Sequence, residues 1–150
     1  MIKLQDIQSP FQMHGCVVDN IEVKNDFVSI PADVQLESTV NIKNGISKIK
    51  KADENNMLQA NLILDLHYSA SFEEKVFSVH LVLNGLFTTT DIDEKVFEHM
   101  LLLNGNSALY SIARSYIITI SSMSLTSGQL VLPMINFVNL IKETQKEQEE

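Results

Sequence analysis

Apolar and polar residues alternate in four stretches of the first half of the chain, and each stretch predicts a β-strand. A period of two buries one face of a strand and leaves the other face polar. The third stretch is the most regular, and the first is irregular around Gly15. The four stretches are residues 11–23, 34–42, 58–70 and 77–87. Short turns between strands of this kind favour an antiparallel sheet with one apolar face.

Two connections between these stretches differ in character. Residues 27–32 are unusually apolar for a loop, and Pro31 excludes a central strand there. Residues 43–56 are rich in Lys, Asn and Asp, which predicts a solvated hairpin or long loop. The apolar connection is therefore the one that needs a covering surface.

The second half of the chain predicts helices. A short helix is expected over residues 91–103, capped by Asp91 or Asp93 and ended by the Asn104-Gly105 pair. The main helix is expected over 107–125, and Asn136 is a suitable N-cap for a last helix. Helices that follow the strands, instead of alternating with them, indicate an α+β domain with two main helices packed on one face of the sheet.

The main helix carries an apolar stripe with almost no charge on the rest of its surface. Its members recur at spacings of three and four and are Leu109, Ile112, Tyr116, Ile120 and Met123. Small uncharged residues, among them Ser115, Thr119, Ser121 and Ser122, dilute the rest of that surface. A stripe of this width must be covered by the sheet, a second subunit or another protein.

Length and charge narrow the functional classes. A chain of 150 residues is expected to form one domain, in which only an acidic tail at 143–150 frays. The net charge of −8 argues against nucleic acid and anionic membranes as partners. The single cysteine, Cys16, is interpreted as a small buried hydrophobe and fits a reducing compartment. With no signal-peptide pattern at its start, the chain is expected to be cytoplasmic.

Motifs for chemistry are not found in the sequence. It has no phosphate-binding glycine loop, no HExxH and no cysteine pair, so we predict neither catalysis nor a cofactor. The histidines are scattered singly, although His67 and His80 could be neighbours across the third and fourth strands. A metal site there would need a third ligand, for which Asp65 or Glu22 is only a guess. We therefore predict no metal site.

Three short motifs between residues 77 and 141 resemble the bacterial protein-export chaperone family SecB. They are Gly85-Leu86-Phe87 at a strand end, Tyr110-Ser111-Ile112-Ala113-Arg114 opening the main helix, and Pro133-Met134-Ile135-Asn136-Phe137 before the last helix. The resemblance spans about residues 10–142. It implies a four-stranded antiparallel sheet with two helices, assembled as a dimer of dimers through the main helices. The apolar stripe would then be an oligomer interface in a homotetramer.

The resemblance also implies an ATP-independent holdase that binds unfolded polypeptides in a hydrophobic groove, for protein export. The matching positions, called the client groove below, are Phe27, Val28, Ile30, Val34, Leu36, Leu130, Leu132, Met134, Phe137, Leu140 and Ile141. The family docks its motor ATPase, SecA, through acidic and apolar residues on the polar sheet face. Those positions hold Asn20, Lys24, Ser78 and His80 here, which argues against SecA docking. A divergent, partner-specific chaperone or adaptor of the toxin–antitoxin type remains the alternative.

Overall fold

The computed structural model describes the backbone of residues 1–149 and the side chains of residues 1–143. A 3₁₀ turn at Leu4–Asp6 precedes the first strand. The strands are β1 (Gln12–Asn25), β2 (Glu37–Ile46), β3 (Lys50–Ala52), β4 (Met57–Phe72) and β5 (Lys75–Thr90). The helices are α1 (Glu94–Met100), α2 (Asn106–Ser124) and α3 (Phe137–Glu149), with a π-helical segment at Leu101–Gly105 between the first two.

The sheet is antiparallel, with the order β1-β5-β4-β2 and the short β3 also paired to β4. The strict alternation in β4 and β5 places seven residues of each strand in the core on the side that the helices cover. The other side, called the outer face below, is polar and half-buried. The predicted α+β fold is confirmed, with β3 as a fifth strand inside the region predicted to be a solvated hairpin or long loop.

The connection from β1 to β2 is a crossover between the two edges of the sheet. β1 pairs only with β5 and β2 pairs with β4, so residues 26–36 must travel across the layer. β2 begins at Glu37, so the prediction of strand from residue 34 is wrong. Val34 and Leu36 instead belong to the crossover, where the Pro31 region keeps the chain out of the sheet.

Two bulges change the faces of β1. The register with β5 shifts between Met13 and Gly15 and again between Val18 and Asn20. Each bulge adds one residue and moves the following side chains to the opposite face. The irregularity expected around Gly15 is therefore the first bulge, whereas the alternation predicted to continue through residues 17–23 is wrong at the second bulge. Cys16 reaches the helix side in this way, where burial, assisted by the charge of Asp19, raises the pKa of its thiol.

The first two helices are continuous, so the predicted break at Asn104-Gly105 is wrong. Gly105 has right-handed helical angles, φ −62° and ψ −48°. A Cβ at this position would lie 2.8 Å from Cδ2 of Leu62 on β4. The glycine thus permits a close approach of helix to sheet instead of ending the helix. The π-helical segment alters the backbone hydrogen-bond pattern of the helix. At this point Asn106 donates its side-chain N–H to the carbonyl of Leu102, at 2.8 Å.

Predicted caps begin the first and last helices. Asp93 accepts a hydrogen bond from the backbone N–H of Lys95. Asn136 accepts from the N–H groups of Val138 and Asn139, which confirms it as the N-cap of α3.

The α3 backbone is helical to Glu149, while Glu150 and the side chains beyond Glu143 lie outside the described residues. Fraying of the acidic tail stays a prediction. None of the helices, within the described residues, is long and apolar enough to span a membrane.

Candidate functional site

The crossover and the loop after α2 lie side by side. Thr126 donates through its backbone N–H and its hydroxyl to the carbonyl of Val28, at 2.8 and 3.0 Å. Ile30 donates its N–H to the carbonyl of Ser127, at 3.2 Å. Gly128, with φ +88°, turns the loop against Ile30. The crossover and the loop after α2 are about a hundred residues apart in the sequence. In the fold, these two apolar stretches begin next to each other.

Side chains of α2 fix the extended segment that precedes α3. Arg114 donates from Nε to the carbonyl of Leu132, at 2.9 Å, and Tyr110 donates its hydroxyl to the carbonyl of Pro133, at 2.6 Å. The ring of Tyr110 also meets Phe137 edge-on, with centroids 5.7 Å apart. Burial raises the pKa of Tyr110, and the charge of Arg114 opposes that rise. The phenol is thus held neutral as a donor.

Ser121 attaches the same segment at its start. Its buried hydroxyl accepts the N–H of Leu130, at 2.8 Å, and lies 3.1 Å from the carbonyl of Ile118, to which it donates. From the sequence, Ser121 is expected to be a small surface residue that permits close helix approach. The structure instead places it in the core, where it satisfies a backbone group that burial would otherwise leave unpaired.

The predicted groove residues divide into three groups. Four are buried in the core of the monomer: Phe27, Leu130, Leu132 and Phe137. Five are half-buried: Ile30, Val34, Leu36, Leu140 and Ile141. Two are largely exposed, Val28 at 70% and Met134 at 78%. In the segment before α3, Leu130 and Leu132 are buried whereas Met134 is exposed, so only part of the apolar set faces outward.

Sequence reasoning missed two further exposed residues in the same region. Val131 lies between two buried leucines and Val138 lies in the first turn of α3, and each is close to half exposed. Both were visible as apolar positions inside stretches already singled out. Only the direction of each side chain distinguishes them from their buried neighbours, and that direction is known only once the fold is known.

The predicted oligomer stripe on α2 is also divided. Leu109 has no exposed surface, so it packs in the core and is not available to a partner subunit. Ile112 and Ile120 are half-buried against the core. Tyr116 and Met123 are exposed, the latter to 81%. The face that covers the sheet is rotated from the stripe and uses Leu109, Tyr110, Ala113 and Ile117.

A second exposed apolar surface lies on the edge strand and was not predicted. Six residues of β1 pair with buried positions of β5 and so face the helix side, and four of them remain 37–45% exposed. They are Met13, Val18, Ile21 and Val23, called the β1 strip below. An edge strand of 14 residues with such a strip is a surface that another chain can cover.

The outer face groups the four positions that the resemblance associates with motor docking. Lys24 pairs with Ser78, and Nδ2 of Asn20 lies 3.4 Å from Nδ1 of His80. Three of them, Lys24, Ser78 and His80, line a concavity of about 600 Å³ on this face, together with Glu22 and His67. The only acid in direct register with these positions is Glu22, opposite His80, among the described residues.

Comparison with known proteins agrees with this architecture. Among solved structures, a SecB-like chaperone of Mycobacterium tuberculosis, in complex with a ChAD peptide from an antitoxin, aligns with a TM-score of 0.62 and 13% identity, over 83% of this chain and 90% of that chain. A protein of unknown function from Streptococcus agalactiae aligns with a TM-score of 0.50 and 9% identity, over 83% and 97%. No curated protein sequence matches. The family model described as preprotein translocase subunit SecB matches residues 10–148. The chain therefore belongs to the SecB family.

Proposed function

We propose that this protein is an ATP-independent holdase chaperone of the cytoplasm, which binds unfolded or non-native polypeptides in the client groove. The observation that carries the proposal is the exposed apolar surface on two adjoining segments. Val28 lies on the crossover, and Val131 and Met134 lie on the segment before α3. Exposed apolar side chains grouped in this way are typical of an interaction surface. Membership of a chaperone family supports the same conclusion.

The binding strength of one groove is expected to be modest. Fully burying one Val or Met side chain contributes about 1.5–3 kcal/mol, and ordering an unfolded client offsets much of the sum. Several grooves on one assembly raise the overall affinity without any new contact. A holdase needs no energy source in this scheme, because preferential binding of the unfolded form keeps the client unfolded by mass action.

The proposed assembly is a homotetramer formed as a dimer of dimers. Two exposed apolar surfaces support it: Tyr116 and Met123 on α2, and the β1 strip on the sheet edge. Pairing of two β1 edges would satisfy backbone groups that an isolated edge presents to solvent. Ile112 and Ile120 add half-buried surface beside the exposed pair. Two distinct surfaces suit an assembly built in two steps.

A partner-specific chaperone or adaptor is the second candidate function, in place of protein export. The four positions associated with SecA docking hold an amide, a lysine, a serine and a histidine, so the acidic character is missing. A structural neighbour of this fold is a SecB-like chaperone solved with an antitoxin peptide. This candidate predicts one tight, sequence-specific ligand, whereas a general holdase binds many unfolded chains weakly.

The test is suppression of the aggregation of chemically denatured model proteins, measured by light scattering without ATP. Wild-type protein is expected to suppress aggregation of several unrelated clients in proportion to its concentration. Val28→Asp combined with Met134→Asp should abolish this effect. Ile7→Asp is the matched control, since Ile7 is also largely exposed but lies outside the groove. Wild-type protein that suppresses no client would refute the general holdase, and equal loss in the control would refute the groove.

A further inference from the structure

We infer that Asp65, His67 and His80 form a binding site for a divalent transition metal, best suited to Zn²⁺, on the outer face of the sheet. His67 and His80 are directly opposite each other across β4 and β5. Asp65 lies two residues before His67 on the same face of β4. Asp65, one of the two third ligands considered from the sequence, therefore lies beside the histidine pair.

The ligand atoms converge on one point. Nε2 of His80 lies 2.9 Å from Oδ1 of Asp65, and Nε2 of His67 lies 3.6 Å from the same oxygen. The three side chains each offer a ligand atom within 4.8 Å of the other two. Ligand atoms around a tetrahedral zinc ion are about 3.3 Å apart, given bond lengths near 2.0–2.1 Å. An ion would take the place between the two nitrogens that Oδ1 of Asp65 now occupies, so coordination requires these side chains to rearrange while the pairing of β4 with β5 stays unchanged.

The histidine rings are held side by side but must turn before they can share one ion. They stack with centroids 3.7 Å apart and planes inclined by 16°. An imidazole binds a metal in the plane of its ring, and two nearly parallel planes at this separation do not meet at one ion. Coordination by both Nε2 atoms therefore requires rotation of the rings out of the stack. Two imidazoles and one carboxylate select zinc, copper or nickel over magnesium and calcium, which prefer oxygen ligands.

A neighbouring amide can set the tautomer that coordination requires. Coordination through Nε2 leaves the proton of His80 on Nδ1, which then needs an acceptor. Asn20 lies 3.4 Å from that Nδ1 through its side-chain nitrogen. Rotation of the amide by a half turn brings its oxygen to the same place, so Asn20 can accept a hydrogen bond from Nδ1–H of His80. Asn20 is thus a positioning residue for the metal and not a ligand.

The site is open to solvent along the concavity of the outer face. His67 and His80 line that concavity, as does Glu22, which pairs with His80 across β1 and β5. An ion can therefore enter without any movement of the backbone. The fourth coordination position would be filled by water, by Glu22 or by a side chain of a bound partner.

The experiment is a zinc titration of the full-length, untagged chain, stripped of metal and set in competition with a chromophoric zinc chelator. One saturable site per chain is expected. Loss of an outer partner of a metal ligand typically weakens binding 10–100-fold, so loss of a ligand should weaken it by at least about 100-fold. His67→Ala, His80→Ala and Asp65→Asn should show that larger loss, and Asn20→Ala about 10-fold.

His99→Ala is the matched control, because His99 is an exposed histidine on α1. It should bind zinc as the wild type does. In spectra of ¹⁵N-labelled histidine, zinc should shift the ring nitrogens of residues 67 and 80 alone. Circular dichroism of each variant reports whether the fold is retained, and the conservative Asp65→Asn keeps the test informative if a histidine variant unfolds. Absence of saturable binding, or equal affinity of His80→Ala and His99→Ala, would show that the cluster is only a hydrogen-bonded pair and overturn the site.

Discussion

Replacing Leu132 by alanine separates core packing from client contact within the groove. Leu132 has no exposed surface, and its backbone carbonyl is held by Arg114. Removing three buried carbon groups costs about 2.4 kcal/mol at about 0.8 kcal/mol each, and the cavity that remains adds to this. We expect a total loss of about 3–4 kcal/mol. That is a large share of the 5–15 kcal/mol typical of a domain.

Met134→Ala is the matched variant, two residues away on the same segment. Met134 is 78% exposed, so its replacement should change the free energy of unfolding by less than about 0.5 kcal/mol. It should weaken client binding by about 1 kcal/mol, or roughly fivefold, because apolar contact is lost. Leu132→Ala should leave client affinity almost unchanged at temperatures where it is folded.

Urea unfolding at one fixed protein concentration measures the stabilities, and fluorescence titration with a permanently unfolded client measures the affinities. The fixed concentration matters because assembly contributes to apparent stability. If Leu132→Ala keeps wild-type stability while its client affinity collapses, Leu132 faces the client. The assignment of the buried half of the groove to the core would then be refuted.

Three further predictions concern assembly, packing and pH. Ile21→Asp should lower the mass of the oligomer measured by light scattering, because it places a charge in the β1 strip; an unchanged mass would exclude that strip from the interface. Gly105→Val should cost at least about 1–3 kcal/mol in urea unfolding, since its Cβ would lie 2.8 Å from a buried leucine carbon, whereas Gly15→Val, with nothing within 4 Å, should cost little. Tyr110→Phe should lose about 1 kcal/mol at neutral pH with its hydrogen bond. Burial raises the folded-state pKa of Tyr110 above 10.0, so ionisation favours the unfolded chain and wild-type stability should fall as pH rises above that value; a fall of equal size in the variant would contradict this.

The two central strands, β4 and β5, were predictable because each has a burial pattern that local sequence determines. The alternation of β4 and β5 persists over 16 residues each, and their turn is short, so pairing and register follow from the pattern. The caps at Asp93 and Asn136 are similarly local. The interruption of β1 was visible only as an irregularity at Gly15, because a bulge depends on the partner strand.

The candidate sites were predictable in location but not in detail. The apolar character of residues 27–36 and 130–141 indicated a covered or binding surface. Burial within those segments was not indicated, because it depends on how α2 holds them through Tyr110, Arg114 and Ser121. The break predicted at Gly105 failed for a related reason. A glycine that ends a helix and one that admits a neighbouring leucine look the same in sequence.

Sequence alone determined most of the strands and helices, the α+β class, the resemblance to the family and the net negative charge, since these depend on composition, short motifs and short-range periodicity. Tertiary structure decided which apolar residues are exposed, where the edges of the sheet lie, and which polar residues meet. Asp65, His67 and His80 illustrate the difference. The sequence indicated that His67 and His80 could be neighbours and offered Asp65 as one possible third ligand, but only the pairing of β4 with β5 brings the three ligand atoms within 4.8 Å of one another. Contacts between strands arise from register, a property of the whole sheet.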